Sequence, residues 1–449
     1  MINTKKKYNS IIFNNENSFL EYGFILLCFI FFVTWAVVQP FNSCPDEAMR
    51  YDVIKYVFEH NRLPHGGEES LINPIWGFSY AFLPYLSGLV SVVFMKFVYL
   101  FTQNDQILII AARMASVFFG TITVYYIIKI ANKLFNGIYK WLLIILVSCL
   151  PQFVFLSSYM NNDVLALMSV VMIIYYWIEG NENRWSMKSN VGLAISVSIC
   201  VLSYYNAYPF ILFSIVFFIL SNVMKNEDKN VIIKKFITIS IVVFILSGWW
   251  FIRNYVIYNG DFLGMKTMTQ YSNMYAYEDI KPINHITPQR QNISIIGMLI
   301  NQKWLSITYK SFLGVFGWMN IDMMPFMYTF FTVVILVGLV CFILKLLNNK
   351  KVLKGNNIIL LFMVLASILT VCLSIYRSYT VDFQPQGRYV IECLIPIMII
   401  VTCGFEYFSS FLRKKFNISF ERFIALICFF DMFIVITCLL KIIIPAYLK

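Results

Sequence analysis

Residues Trp76–Phe101 read W-G-F-S-Y-A-F-L-P-Y-L-S-G-L-V-S-V-V-F-M-K-F-V-Y-L-F, and whether they cross a bilayer decides how the rest of the chain is arranged. The stretch is apolar enough to span, but Pro84 and Gly88 sit near its middle, where each weakens a helix. On either side of it the chain repeats apolar runs long enough to cross as helices. They fall at about 23–38, 107–129, 141–159, 163–179, 191–206, 208–224, 236–252, 325–345, 357–376, 389–410 and 422–445. That makes eleven spans without the opening stretch and twelve with it.

Charge decides between the two counts. With the N-terminus inside and 76–101 not crossing, the cytoplasmic segments carry Lys5–Lys7, then Lys129, Lys133 and Lys140, then Arg184 and Lys188. They continue with Lys225, Lys229, Lys234 and Lys235, with Lys345, Lys350, Lys351 and Lys354, and with Arg413, Lys414, Lys415 and Arg422. These short clusters hold more than half of the 35 basic residues, as the positive-inside rule requires. A full crossing at 76–101 would turn every later cluster outward, so the stretch reads as an in-plane or re-entrant element. The longer polar segments, 41–75, Ser157–Asp163, 253–324 and 377–388, then all share the non-cytoplasmic side.

Composition agrees with an integral membrane protein. The 449 residues are 59% hydrophobic and 13% charged, with a mean hydropathy of +0.72, against about 25% charge for a soluble domain. The net charge of +12 sits in inter-span clusters, and no basic stripe with interleaved aromatics marks a nucleic-acid surface. Nine of the ten cysteines lie in apolar runs, Cys44 has no aqueous partner, and no metal-ligand spacing occurs, so neither a disulfide nor a zinc site is expected. The expected fold is an all-α polytopic bundle of about eleven transmembrane helices. Residues 1–19 form a cytoplasmic segment before an uncleaved first span. Residues 20–449 form one transmembrane domain with external loops 41–106 and 253–324.

Chemistry-bearing residues gather on the outer side. In N-S-C-P-D-E (42–47), Asp46 and Glu47 follow the first span closely. They read either as a helix start capped by Ser43 or as a general base or metal ligand. Val53, Tyr56, Val57 and His60 then recur at helical spacing, which predicts an amphipathic helix lying on the membrane surface. Asp163, behind Asn161 and Asn162, opens a span and is either a capped helix start or a second acid on the same aqueous face. Arg253 follows Trp249 and Trp250, where an interfacial arginine ordinarily snorkels. Arg388, in Q-P-Q-G-R-Y (384–389), suits a phosphate at a helix start. Glu392, four residues on and inside the bilayer, is either functional or the partner of Arg388. Glu406 and Asp431 lie deeper and receive no role.

Taken in order, P-D-E at 45–47, N-D at 162–163, W-W-F-I-R-N-Y-x-x-Y-x-G-D at 249–261, F-G-W at 316–318 and Q-G-R-Y at 386–389 resemble a widespread family of bacterial membrane proteins of unknown function. That family is similar in layout to the GT-C glycosyltransferases, among them the protein O-mannosyltransferases and the aminoarabinose transferase of lipid A. The resemblance covers about residues 25–410. It implies an inverting transferase in the bacterial cytoplasmic membrane that takes a sugar from a polyprenyl-phosphate donor at the outer face. The acceptor would be a glycan, lipid or protein. Asp46 or Glu47, with Asp163, is the implied catalytic set. Asp46 and Asp163 are the implied ligands of a divalent cation (Mg, Mn or Ca). Arg388, with Arg253, Arg50, Gln386, Tyr389 and Glu392, would bind the donor. The family pattern commonly reads P-D-E-x-x-H, and here Arg50 stands at the histidine position, where it offers a phosphate contact instead. The competing reading is a flippase, transporter or non-catalytic binder of lipid-linked glycans, using Glu392, Glu406 and Asp431 at membrane depth.

Overall fold

The apolar runs fold as helices because a chain in lipid has to satisfy its backbone hydrogen bonds internally. The computed structural model describes residues 2–348 and 357–448, with side chains from residue 18 onward. The predicted lysines Lys350, Lys351 and Lys354, and the side chains of Lys5–Lys7, lie outside the described residues. In chain order the helices are α1 (Ile2–Val38), α2 (Glu47–His60), α3 (Leu86–Tyr99), α4 (Asp105–Leu134), α5 (Ile138–Ser148), α6 (Pro151–Leu156), α7 (Asp163–Glu182), α8 (Met187–Val201) and α9 (Tyr208–Val223). Then come α10 (Lys229–Ile257), α11 (Met265–Tyr275), α12 (Ile295–Ile300), α13 (Trp304–Gly314), α14 (Pro325–Asn348), α15 (Asn357–Thr380), α16 (Leu394–Phe416), α17 (Glu421–Cys438) and α18 (Ile444–Tyr447). A two-stranded hairpin, β1 (Val315–Phe316) with β2 (Ile321–Asp322), sits between α13 and α14.

Among the described residues nine helices are long and apolar enough to cross a membrane, so the predicted count of eleven is not reached by length. The two shortfalls have local causes. The run at 141–159 is broken at Cys149–Leu150, because Leu150 is extended and Pro151 starts a new helix at its first position, where its missing N–H costs nothing. The run at 191–206 ends at Val201, and a short 3₁₀ turn at Tyr205–Ala207 leads into α9. The opening stretch, Trp76–Phe101, gives a 3₁₀ turn at Tyr80–Phe82 and then α3. At 1.5 Å per residue, its 14 residues reach only about 21 Å, short of a hydrocarbon core of about 30 Å.

The amphipathic helix of the first loop is α2, but its apolar face meets protein. Val53, Ile54, Tyr56 and Val57 join Tyr85, Val92 and Met95 from the α3 segment, Leu108 of α4 and Trp250 of α10 in a cluster separate from the main core. Burying those side chains stabilises the loop by roughly 1.5–3 kcal/mol for each large one fully covered.

The two ends of the bundle differ in chemistry. At one end, Lys133 pairs with Glu179 at 2.7 Å and Glu182 at 2.5 Å, Lys140 pairs with Glu21 at 2.9 Å, and Lys235 with Glu227 at 3.4 Å. These are the clusters read as cytoplasmic. The starts of α2, α7 and the 387–393 turn converge elsewhere, at the end reached by the C-terminus of α1.

Candidate active site

Asp46 owes its place to the residue beside it. Glu47 is fully buried and meets Arg113 of α4 through two 2.8 Å bonds, from Nε to Oε1 and from Nη2 to Oε2. Arg113 spends its other three N–H groups on the carbonyls of Ala36, Gln39 and Pro40, at 2.7, 2.6 and 3.0 Å. All five guanidinium donors are thereby used, and the loop leaving α1 is tied to α4. The backbone N–H of Asn42 completes the knot by donating to Glu47 Oε2 at 2.9 Å. Asp46, next along, takes a left-handed conformation with φ 65°, a strained setting that Asp tolerates better than most residues.

Ser43, the expected cap, sits too early in the chain: its hydroxyl donates to the Pro40 carbonyl at 2.8 Å, and α2 starts only at Glu47. Asp46 is the N-cap of α2 by position, but its side chain makes no capping bond. The carboxylate turns instead to Arg388, with Oδ2 2.8 Å from Nη2, and keeps 23% of its side-chain surface exposed. Asp163, 2% exposed, places Oδ2 3.9 Å from Nη1 of the same arginine. The cap of α7 is supplied by Asn161, whose Oδ1 accepts from Val164 N–H at 2.9 Å. Asp163 Oδ1 has no hydrogen-bond partner.

Arg388 is aimed by its neighbours. Nε donates to Gln386 Oε1 at 2.7 Å and Nη2 to the Tyr389 hydroxyl at 2.9 Å. The Tyr389 hydroxyl in turn donates to Gln384 Oε1 at 2.5 Å. Gly387 lies against the backbone of Phe312, where a Cβ would have no room, and its N–H donates to Ser311 Oγ at 2.7 Å. The Q-G-R-Y stretch thus needs its glycine for close approach to α13. The F-G-W stretch braces the end of α1 and the loop that follows it. Phe316 packs on Trp35 at 5.4 Å, and Trp318 Nε1 donates to the Asn42 carbonyl at 2.9 Å.

Arg50, one turn along α2, lays its guanidinium over the Tyr80 ring at 4.3 Å, and its Nε has no partner. Burial works against its charge, but Tyr80, Asp46 and Asp163 outweigh that and raise its pKa. For Asp46, burial pushes the carboxyl up, and the guanidiniums of Arg388 and Arg50 outweigh it and hold the pKa below the usual aspartate value. Burial, reinforced by Asp46, keeps the Tyr80 phenol protonated well above its ordinary range. The cluster therefore holds two carboxylates and two guanidiniums. A divalent cation does not fit this set as it stands, because both acids already face arginines and bring no third acidic ligand. Among the described residues no group of three metal-ligating side chains occurs.

Other expected site residues fall differently. Arg253 donates to the Pro64 carbonyl and to Asn254 Oδ1 (3.0 Å), and sits over Trp250 at 5.2 Å. Its bond to Pro64 thus ties the end of α10 to the first external loop, and none of its hydrogen bonds reaches Asp46, Asp163 or Arg388. The Arg388–Glu392 pair does not form. Residues 387–393 wind as a 3₁₀ helix with Val390 out of helical geometry, so i and i+4 no longer share a face. Glu392 is fully buried with both oxygens unpartnered. Glu406 pairs with Lys345 at 3.6 Å. Arg113, Tyr80, Tyr204 and Arg377 were not singled out from sequence. Arg377 and Tyr389 line one cleft together with Asp382 and Gln384, and Tyr204 packs on Tyr389 at 6.2 Å. A lone arginine inside the apolar run of α4 was the available signal for Arg113.

The family described as "Predicted membrane protein (DUF2142)" matches residues 58–401. The chain belongs to this family. Asp163, Arg253 and Arg388 of this DUF2142 chain lie within the matched segment, while Asp46 and Glu47 precede it. No curated protein sequence matches. Among solved structures, the apo oligosaccharyltransferase of Archaeoglobus fulgidus aligns with a TM-score of 0.55 at 11% identity, covering 92% of this chain and 55% of that one. The Archaeoglobus fulgidus oligosaccharyltransferase AglB, in complex with an inhibitory peptide and a dolichol-phosphate, aligns at 0.54 and 10% identity, covering 93% and 55%. ArnT from Cupriavidus metallidurans, bound to undecaprenyl phosphate, aligns at 0.53 and 11% identity, covering 96% and 72%. The DUF2142 chain spans about half the length of the oligosaccharyltransferases it matches. At these identities the likeness establishes the fold, a GT-C-like membrane bundle.

Proposed function

We propose that this protein transfers a sugar from a polyprenyl-phosphate donor to an acceptor hydroxyl on the extracytoplasmic face of a bacterial membrane. The observation that carries the reading is Arg388, buried at one end of an apolar bundle and bridging Asp46 and Asp163. A fold shared with proteins solved in complex with dolichol-phosphate and undecaprenyl phosphate supports it. So does an apolar cleft of about 590 Å³ among α8, α9 and α10, suited to a prenyl chain.

In this reading the acceptor hydroxyl attacks the anomeric carbon while Asp46 takes its proton. The bond from that carbon to the phosphate oxygen breaks with inversion. The leaving phosphate keeps the electron pair and is stabilised by Arg388 and Arg50. Glu47, held by Arg113 through both oxygens, fixes the loop in this reading, and Asp46 is the base. The space beside Arg50 and Tyr80 is only about 20 Å³, room for about one water. In this reading a donor phosphate competes with Asp46 for Arg388, and drawing the guanidinium away restores the basicity the ion pair suppresses. Reconstituted in vesicles with a labelled polyprenyl-phosphate sugar and a cell-envelope extract as acceptor source, the protein is expected to move label to the acceptor and release polyprenyl phosphate. The rate should be unchanged by EDTA, since guanidiniums supply the positive charge. Label that stays on the lipid in every extract would refute the transfer, and abolition by EDTA would refute the cation-free site.

The same competition sets a pH signature. In the free protein the carboxyl of Asp46 titrates below its ordinary value, so kcat/KM should hold on acidification until below the usual aspartate range. In the donor complex Arg388 is shared with a phosphate anion and the Asp46 pKa rises. The acid limb of kcat is therefore expected at higher pH than that of kcat/KM. Coincident limbs would show that donor binding leaves the Arg388–Asp46 pair intact.

A further inference from the structure

The motif at 249–261 contributes little to the Arg388 cluster, yet its last residues line a separate pocket. Tyr258, Gly260 and Asp261 form one side of a solvent-open cavity of about 660 Å³, faced by His65 and by Lys266 and Gln270 of α11. Asp261 Oδ2 is taken by Thr267, from N–H at 2.7 Å and Oγ1 at 2.9 Å. The ring of Phe262 stands 52% exposed on the same wall. Lys266 and Gln270 are exposed as well.

We infer that this pocket binds a neutral sugar unit of a glycan acceptor. The inference rests on the transferase reading above and names its acceptor class. Its lining mixes a carboxylate, an ammonium and amides, so it offers both donors and acceptors. A pyranose matches such a set because every hydroxyl can donate and accept. One lysine balanced by one aspartate leaves no surplus positive charge to attract a phosphate. An exposed aromatic ring beside polar groups that fix orientation is the usual construction of a site for a partly apolar, partly polar ligand.

Placement separates this site from the donor's reacting sugar. The Tyr258 hydroxyl donates to the His65 carbonyl, and Arg253 lies over the rings of both Tyr258 and Trp250, at 6.0 and 5.2 Å. Trp250 packs on Tyr85 at 5.2 Å, and Tyr85 lines the space beside Arg50. The pocket is thus joined to the reaction centre through a layer of side chains. That offset suits sugars further along an acceptor chain. A donor sugar has to stay bonded to the phosphate at Arg388.

The test uses the purified full-length protein in detergent and saturation-transfer difference NMR with cellotetraose, maltotetraose and chitotetraose. At least one is expected to give a signal, with binding weakened about tenfold in Phe262→Ala and in Gln270→Ala. Both positions are exposed, so neither substitution threatens folding. In the transfer assay Phe262→Ala should raise KM for the acceptor several-fold and leave KM for the lipid-linked donor unchanged. Absence of any saccharide signal, or a signal indifferent to both substitutions, overturns the inference. So does the opposite KM pattern, which assigns the pocket to the donor, or a serine-rich peptide giving the signal in place of the saccharides. Binding is read without turnover, so a protein that binds saccharide and transfers nothing refutes the transferase reading and leaves this pocket standing.

Discussion

Asp46→Asn is expected to lower sugar transfer by roughly 10²–10⁴-fold while the protein still inserts and folds. The amide keeps the shape of the carboxylate and can still accept a bond from Arg388, but it cannot take a proton from the acceptor. The main loss should fall on kcat. The side chain is partly exposed and makes no capping bond, and Asp163 stays beside Arg388 as a counter-charge, so the fold should tolerate the change. Arg388→Lys makes the complementary case. Lysine preserves the charge but not the planar fork that reaches Gln386, Tyr389 and Asp46 together, and the two residues are not interchangeable at such sites. It should weaken donor binding as well as turnover. Transfer by Asp46→Asn at more than about a tenth of the wild-type rate would remove Asp46 from the base role.

How much of this was legible in the sequence depends on the range of the interaction. Apolar run length disclosed a helical membrane bundle, and short-range motifs pointed to Asp46, Asp163 and Arg388, which the fold draws into one cluster. Two of the eleven expected spans are not single long helices, because Pro151 and the turn after Val201 act over two or three residues inside runs whose averages look continuous. The Arg388–Glu392 pairing assumed α-helical winding, and a 3₁₀ turn with a misfit Val390 cancelled it. Arg113 was hidden for a different reason. It meets Glu47 across 66 positions, and nothing near it in sequence names its partner. The amphipathic pattern of α2 gave the right helix and the wrong neighbour, because periodicity reports an apolar face without saying whether lipid or α3 covers it.

The Glu47–Arg113 pair carries the second large effect, on folding. Removing one partner leaves an uncompensated charge in the interior, which ordinarily costs about 3–5 kcal/mol. Here the penalty should sit at the upper end, because Arg113 also anchors three carbonyls and Glu47 also accepts from Asn42. Glu47→Gln and Arg113→Met are each expected to lower the thermal midpoint in detergent and the yield of folded protein. The double substitution Glu47→Gln/Arg113→Met removes both charges. It should recover much of the loss, since a neutral pair of similar volume avoids the desolvation that a lone ion suffers. The recovery will be incomplete, because methionine cannot hold the loop carbonyls. Activity of the double variant then separates structure from chemistry. If it folds and transfers sugar, Glu47 serves to fix the loop that presents Asp46. The single variant Glu47→Gln, which leaves Arg113 on its three carbonyls, decides the alternative: if it folds and transfers nothing, Glu47 takes part in the reaction and the assignment of the base to Asp46 fails.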